Sequence, residues 1–192
     1  MIRPAALLVL AGVLAAALPS AAAPAGLFPD EVVAAGGGSS NRLELKPLWT
    51  PGALSAFRQR LRVTIEGIST TSVSVELDQS VRGQWSGLLR ERADGALLDD
   101  GHFGISEASA RELAELIERA RLWTTFPQFF QASPDAGVVC LDGEGVIFER
   151  RDASGYRYAE GNAPCTLGSA QIDVAAKMLQ LARRPELVRL LR

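Results

Sequence analysis

Two segments of this chain alternate polar and apolar residues and are written so that each completes the other. Arg58-Gln59-Arg60-Leu61-Arg62-Val63-Thr64-Ile65-Glu66 and Ser72-Val73-Ser74-Val75-Glu76-Leu77-Asp78 both carry the two-residue period of a half-buried strand. Folding them as an antiparallel hairpin through residues 67–71 sets Ile65 against Val73, Val63 against Val75 and Leu61 against Leu77. The same register sets Arg62 against Glu76 and Arg60 against Asp78. All apolar pairs then share one face and opposite charges share the other, and a slip of one residue destroys both matches. The chain is thereby committed to an antiparallel sheet with one face in a core. The charged face is expected to be a solvated, ion-paired surface; read otherwise, Arg58, Arg60 and Arg62 form an anion-binding stripe.

Further elements follow by the same reasoning. A third strand is expected from about Gln84 to Arg92, a turn at Asp94-Gly95, and a short strand at Leu97-Leu98. Ser106 caps a helix running to about Arg121, with Ala110, Leu113, Leu116, Ile117 and Ala120 as its apolar stripe. Trp123, Phe126, Phe129 and Phe130 are expected to pack the loop after this helix onto the sheet. Residues 138–151 and 156–160 suggest a second hairpin in which Arg151 closes against Gly155, Glu149 faces Arg157 and Phe148 faces Tyr158. A final helix is expected from about Ser169 to Arg184. Ile172, Ala175, Ala176, Leu179 and Ala182 lie inward and Asp173 pairs with Lys177. Pro185 ends or bends that helix, and the apolar tail 187–191 returns to the core. The expected fold class is α+β: an antiparallel sheet of four to six strands with two main helices on one face.

The amino terminus speaks to destination. Arg3, an apolar run from Ala5 to Leu18, and small residues at Ser20, Ala21, Ala22 and Ala23 have the layout of a secretory signal peptide. Cleavage fits best after Ala22; an uncleaved anchor is the competing reading. Residues 1–22 are thus expected to be a signal, 23–56 a flexible Pro/Gly/Ser/Ala-rich linker centred on Gly36-Gly37-Gly38-Ser39-Ser40, and 57–192 a single domain. The Gly run lacks the Gly-Lys-Ser/Thr ending of a phosphate-binding loop. Lys46 and Lys177 are the only lysines among 20 basic residues, an arginine bias typical of GC-rich bacterial genomes. The expected location is therefore the periplasm or the medium.

That compartment shapes the reading of Cys140 and Cys165. Two cysteines in an exported chain point to a disulfide, and the second hairpin brings their positions near one another. No Cys-x-x-Cys spacing suggests a redox pair.

The formal net charge of -2 carries no basic footprint for nucleic acid. His102 is the sole histidine, and Gly83-Gln84-Trp85-Ser86-Gly87 does not match a nucleophile elbow. Asp99-Asp100-Gly101-His102 is half of a metal site at most and reads as a polar turn before Ser106. Asp142-Gly143-Glu144 offers two close carboxylates in a turn. No catalytic residue, metal ligand or cofactor is assigned on these grounds.

Asp142-Gly143-Glu144-Gly145-Val146-Ile147-Phe148-Glu149, then Tyr156 and Asn162-Ala163-Pro164, preceded by Leu122-Trp123 at a helix end, resembles a pattern in small uncharacterised bacterial proteins. It spans about residues 104–182. The resemblance implies a shared α+β fold and no known activity. The leading expectation is an exported, non-catalytic domain that binds a protein or envelope component. The alternative is a hydrolase using His102 with Asp99, Asp100 or Glu144.

Overall fold

The computed structural model describes residues 26–39, 42–66, 70–131 and 143–192. The segment 1–22 assigned to the signal lies outside them, and no described helix is long and apolar enough to cross a membrane. The chain folds as α+β around a mainly antiparallel sheet. Its strands are β1 (Phe57–Glu66), β2 (Thr71–Ser80), β3 (Trp85–Ala93), β4 (Ala96–Ile105), β5 (Gln128–Phe129), β6 (Glu144–Asp152) and β7 (Gly155–Ala163). They lie in the order β4-β3-β2-β1-β6-β7-β5. Only the β5–β7 pair is parallel. The seven described strands exceed the four to six expected. The surplus strand is the two-residue β5, while β4, foreseen only as a short strand at Leu97-Leu98, is far longer than expected.

The β1–β2 register is the one the alternation dictates, from Ile65 opposite Val73 to Arg60 opposite Asp78. Asp94 and Gly95 form the next turn, with φ of 49° and 80°. That left-handed pair matches the twist of a two-residue hairpin. It launches the ten residues of β4, which pair with β3 from Ala96 to Ile105 through one register shift between Glu91 and Arg92 that leaves Leu98 without a partner in the ladder. Residues 99–102, expected to be a polar turn, are therefore strand. Local composition favoured a turn, but the ladder to β3 decides the backbone here. The far end is anchored where the Phe103 ring lies over Gly87, so closely that a Cβ there would collide with it.

The β6–β7 hairpin departs from expectation by one residue. Asp152 closes against Gly155, Glu149 stands opposite Tyr158, and Phe148 opposite Ala159. The Asp152 carboxylate accepts the Ser154 N–H at 2.8 Å, which makes a two-residue turn of Ala153-Ser154. The shift matters for burial. Phe148 and Ala159 now enter the helix-side core, while Glu149 and Tyr158 point to the opposite face.

Two helices cover the first face. Helix α2 (Glu107–Ala120) follows α1, a single turn at Asp30–Ala34; α3 spans Ser169–Leu181. Ser106 caps α2, its hydroxyl accepting the Ser109 N–H at 3.1 Å. Ala110, Leu113, Ile117 and Ala120 are buried as the spacing requires. In α3 the buried side chains are Val174, Ala175, Met178 and Leu179, while Ile172 and Ala176 sit at the margin. Lys177 pairs with Glu112 of α2 at 2.6 Å, not with Asp173 as expected. A contact between helices thus replaces a local one. The tail folds as a 3-10 turn at Pro185–Leu191 and buries Leu187 and Leu191.

The opposite face is also covered, and here the linker expectation for 23–56 fails over the described residues 26–39 and 42–56. Phe28, Val32, Leu43, Leu45 and Leu48 are buried, the first two and Leu48 in a second apolar cluster with Ile147, Tyr156 and Tyr158. The Trp49 indole N–H donates to the Gly26 carbonyl at 3.0 Å, tying the segment to itself. These apolar residues follow neither strand nor helix period, so Gly, Pro and Ser dominate the composition and conceal them. The ordered domain begins no later than Gly26, well before Phe57.

Candidate functional site

Strand alternation delivers Arg60, Arg62, Thr64, Ser74, Glu76, Asp78, Glu149, Tyr156 and Tyr158 to the face opposite the helices. Residues 42–56 then close over them as a strap. Arg60 Nε donates to Asp78 at 2.7 Å, and its guanidinium also pairs with Glu76. Arg62 Nε donates to Glu149 Oε2 at 2.6 Å, and Arg62 Nη1 to the Lys46 carbonyl at 2.8 Å and to Glu76 at 3.4 Å. The Tyr156 hydroxyl donates to the other oxygen of Glu149 at 2.8 Å. The pairs foreseen from the hairpin are present, but Arg62 is only 1% exposed. The expectation of a solvated surface is therefore corrected: the strap removes the water, and β6 supplies a carboxylate that the hairpin alone does not reveal.

Further bonds bind the strap to the sheet. The Ala53 carbonyl accepts from Arg60 at 3.3 Å. Arg90 donates to the carbonyls of Leu43 at 3.3 Å and Glu44 at 3.4 Å, while Arg92 pairs with the Glu44 carboxylate at 3.0 Å. At the β7 end, the Gly38 N–H donates to the Tyr158 hydroxyl at 2.8 Å, and that hydroxyl donates to Glu160. The Phe28 ring stands edge-on to Tyr158 with centroids 5.5 Å apart. Strap carbonyls thus meet arginine donors at one end, and an aromatic contact holds the other.

Burial sets the electrostatics. Desolvation works against the Arg62 guanidinium, but Glu149 and Glu76 outweigh it and hold its pKa above the ordinary arginine value. Desolvation, followed by the charge of Glu149, pushes the Tyr156 hydroxyl up; desolvation and Glu160 do the same to Tyr158. Both phenols stay neutral donors. For Glu76, desolvation exceeds the pull of Arg62 and Arg60, and its carboxyl lies above the usual 4.5. A carboxyl shifted upward on folding favours the native state most when protonated. Its contribution is whole below the unfolded value and is lost as pH rises through the folded one. Whatever Glu76→Gln costs in acid, the variant cannot ionise, so its melting temperature is expected to rise relative to that of the parent as pH increases from about 4 toward neutrality. Parallel thermal melts across that range check the sign.

A cleft of about 150 Å³ opens between the strap and β1–β3, lined by Leu45, Lys46, Arg60, Ser74, Glu76, Leu88 and Arg90. It is the place where buried ionic groups meet solvent-accessible space.

The residues singled out from sequence do not converge. His102 is exposed on β4, and Glu144 opens β6. Strands β3, β2 and β1 stand between them, a gap of roughly 19 Å at about 4.8 Å per strand. His102 and Glu144 cannot act on one bond. Asp99 and Asp100 share the strand of His102; Asp142 lies outside the described residues. No group of three His, Cys, Asp or Glu side chains suited to a metal is found among the described residues. Phe129 packs on the strap-side cluster, and Trp123 and Phe130 on the helix-side core. Phe126 stays largely exposed but meets the Tyr156 ring edge-on at 5.9 Å. Cys165 lies just beyond β7, half-buried, and no free thiol occurs among the described residues. Cys140 lies outside them.

Sequence reasoning missed the Arg62–Glu149–Tyr156 group because it depends on β1 pairing with β6, where Arg62 stands directly opposite Glu149. The polar face of the first hairpin held a partial signal, since it carries Glu76 and Asp78 but nothing that marks a third carboxylate. No protein-family model and no curated protein matches the chain.

Proposed function

We propose that this is an exported bacterial domain of the periplasm or cell envelope, stapled by a Cys140–Cys165 disulfide, that binds a protein partner without transforming it. The outer edge of β4 is the binding surface. The observation that carries this reading is the state of that edge. β4 ends the sheet, runs ten residues, and exposes Leu97 by 50% and Leu98 by 59%. Natural edges of this length are usually blunted by Pro or Lys, or covered. Residues 96–105 contain neither Pro nor Lys, and the one bulge, at Leu98, leaves Asp99–Ile105 in a regular ladder with β3. The backbone groups on that side suit an added strand, with apolar side chains beside them for specificity. The sequence also places two acidic residues, 99 and 100, midway along this edge. The occupant is therefore an extended segment of another protein that carries a basic residue between apolar ones.

The test is a photoreactive amino acid at Leu98 in the exported protein, irradiated in the native envelope. A heteromeric adduct is expected, weakened at least tenfold by Leu97→Lys, with slowed amide exchange across 96–105 in the isolated complex. An adduct indifferent to Leu97→Lys, no adduct, or one with only twice the mass of this chain would each overturn the proposal.

A further inference from the structure

The free edge of β4 borders a groove that the helices leave open. Residues 101–104 line it from the strand, and Ala182 and Arg183 from the end of α3, around a volume of about 390 Å³. Four consecutive strand residues belong to both faces of the sheet, so the groove opens at the edge itself. The register explains its floor. Gly101 stands opposite Leu89 and Phe103 opposite Gly87. Leu89 is buried in the helix-side core, and Phe103 packs against that core. Position 101 therefore faces the helix side and brings no side chain there. Ala182, buried at the carboxyl-terminal cap of α3, completes an apolar floor. A glycine inside a strand often marks a place where another chain comes close. Arg183 forms the rim. It takes φ of 61° just past α3, its side chain is exposed, and its guanidinium makes no ion pair or hydrogen bond among the described residues.

A strand added to β4 lies about 4.8 Å outside it and sends alternate side chains to the two faces. The regular ladder of Asp99–Ile105 with β3 presents an even template at the level of the groove. The added residue set opposite Gly101 then projects on the helix side, into the groove. An aliphatic side chain would suit the floor and leave Arg183 unused. A carboxylate would suit Arg183 but lose its water over Leu89 and Phe103. An aromatic ring suits both, because it meets Phe103 edge to face and offers its own face to the guanidinium. Aromatic side chains also stabilise sheets when they cover a glycine on an edge. A second copy of this chain does not supply such a ring through the same edge. Phe103 is the only Phe, Trp or Tyr in residues 96–105, and it is committed to its place over Gly87.

Resting on the proposal that strand addition occurs at β4, we infer that the groove between β4 and the end of α3 receives an aromatic side chain of the partner. The ring sits opposite Gly101 with Arg183 against its face, and one of the apolar residues of the partner segment is therefore aromatic.

The experiment uses the purified exported protein with a photoreactive amino acid at Leu98, irradiated with either of two synthetic peptides at equal, subsaturating concentration. One is Thr-Val-Lys-Phe-Lys-Val-Thr; the other has Ala in place of Phe. The Phe peptide is expected to give at least about tenfold more adduct, the effect of burying one aromatic anchor. Gly101→Leu fills the groove from the strand and should erase that preference without lowering the yield of the Ala peptide. Arg183→Gln should reduce the preference about threefold. It alters only an exposed side chain, so it decides the matter should Gly101→Leu fail to fold. Equal adducts from the two peptides, or an undiminished preference in either variant, would overturn the aromatic groove and leave the β4 edge standing. No adduct with either peptide, or adducts indifferent to Leu97→Lys, would overturn the edge and the groove together.

Discussion

Arg62→Met is expected to lower the free energy of unfolding by about 3–5 kcal/mol, the usual cost of breaking a buried ion pair from one side. The loss has little to do with the strength of the pair in isolation. Removing the guanidinium leaves Glu149 buried with only the Tyr156 hydroxyl, and deprives the Lys46 carbonyl of its donor. Neither group can recover water while the strap is closed. Glu149→Gln should be costly for the mirror reason, since Arg62 would keep a buried charge facing only Glu76. The double variant Arg62→Met/Glu149→Gln should be no worse than the poorer single one, because no uncompensated charge remains. Urea denaturation followed by tryptophan fluorescence gives all three values. A cost below about 1 kcal/mol for Arg62→Met, as an exposed pair would show, would mean that the strap does not exclude water from this face.

The second large effect concerns the strap itself. Leu48 is fully buried, and Leu48→Ala should cost about 2–5 kcal/mol as a core truncation. The same change in a flexible linker would cost nothing measurable. A chain beginning at Phe57 goes further, because it uncovers Ile147, Tyr156 and Tyr158 and strips Arg60, Arg62 and Arg90 of their strap acceptors. It is expected to bind a hydrophobic dye and to lose cooperative unfolding. If residues 57–192 instead unfold as cooperatively as the parent, the strap is an appendage.

How far the sequence could be read depended on whether the deciding interaction was local. The β1–β2 register was legible pair by pair because both strands write their burial in their alternation and the turn between them is short. Helix α2 was legible for a similar reason, with a Ser106 cap and an apolar stripe at helical spacing. The β6–β7 hairpin was legible as a hairpin but not in register, since one hydrogen bond, donated by the Ser154 N–H to the Asp152 carboxylate, holds the two-residue turn. β4 was misread because Asp-Asp-Gly-His has turn composition, and only the ladder to β3 overrides it. For the candidate site, two arginines and two carboxylates could be foreseen together, while Glu149, Tyr156, Lys46 and Arg90 could not.

From the sequence alone came the paired hairpin, the capped helix, the α+β class, and the expectations of export and of a disulfide. These follow from short-range periodicity, capping and composition, which a chain displays whether or not it is folded. Only the tertiary structure decided that β1 lies between β2 and β6, that Arg62 meets Glu149 across 87 residues, and that residues 26–39 and 42–56 pack over the sheet. The reason is physical. Alternation states that a face is polar, but whether that face keeps its water depends on what packs over it. Here the covering segment has no periodicity of its own and acquires its shape from the sheet beneath.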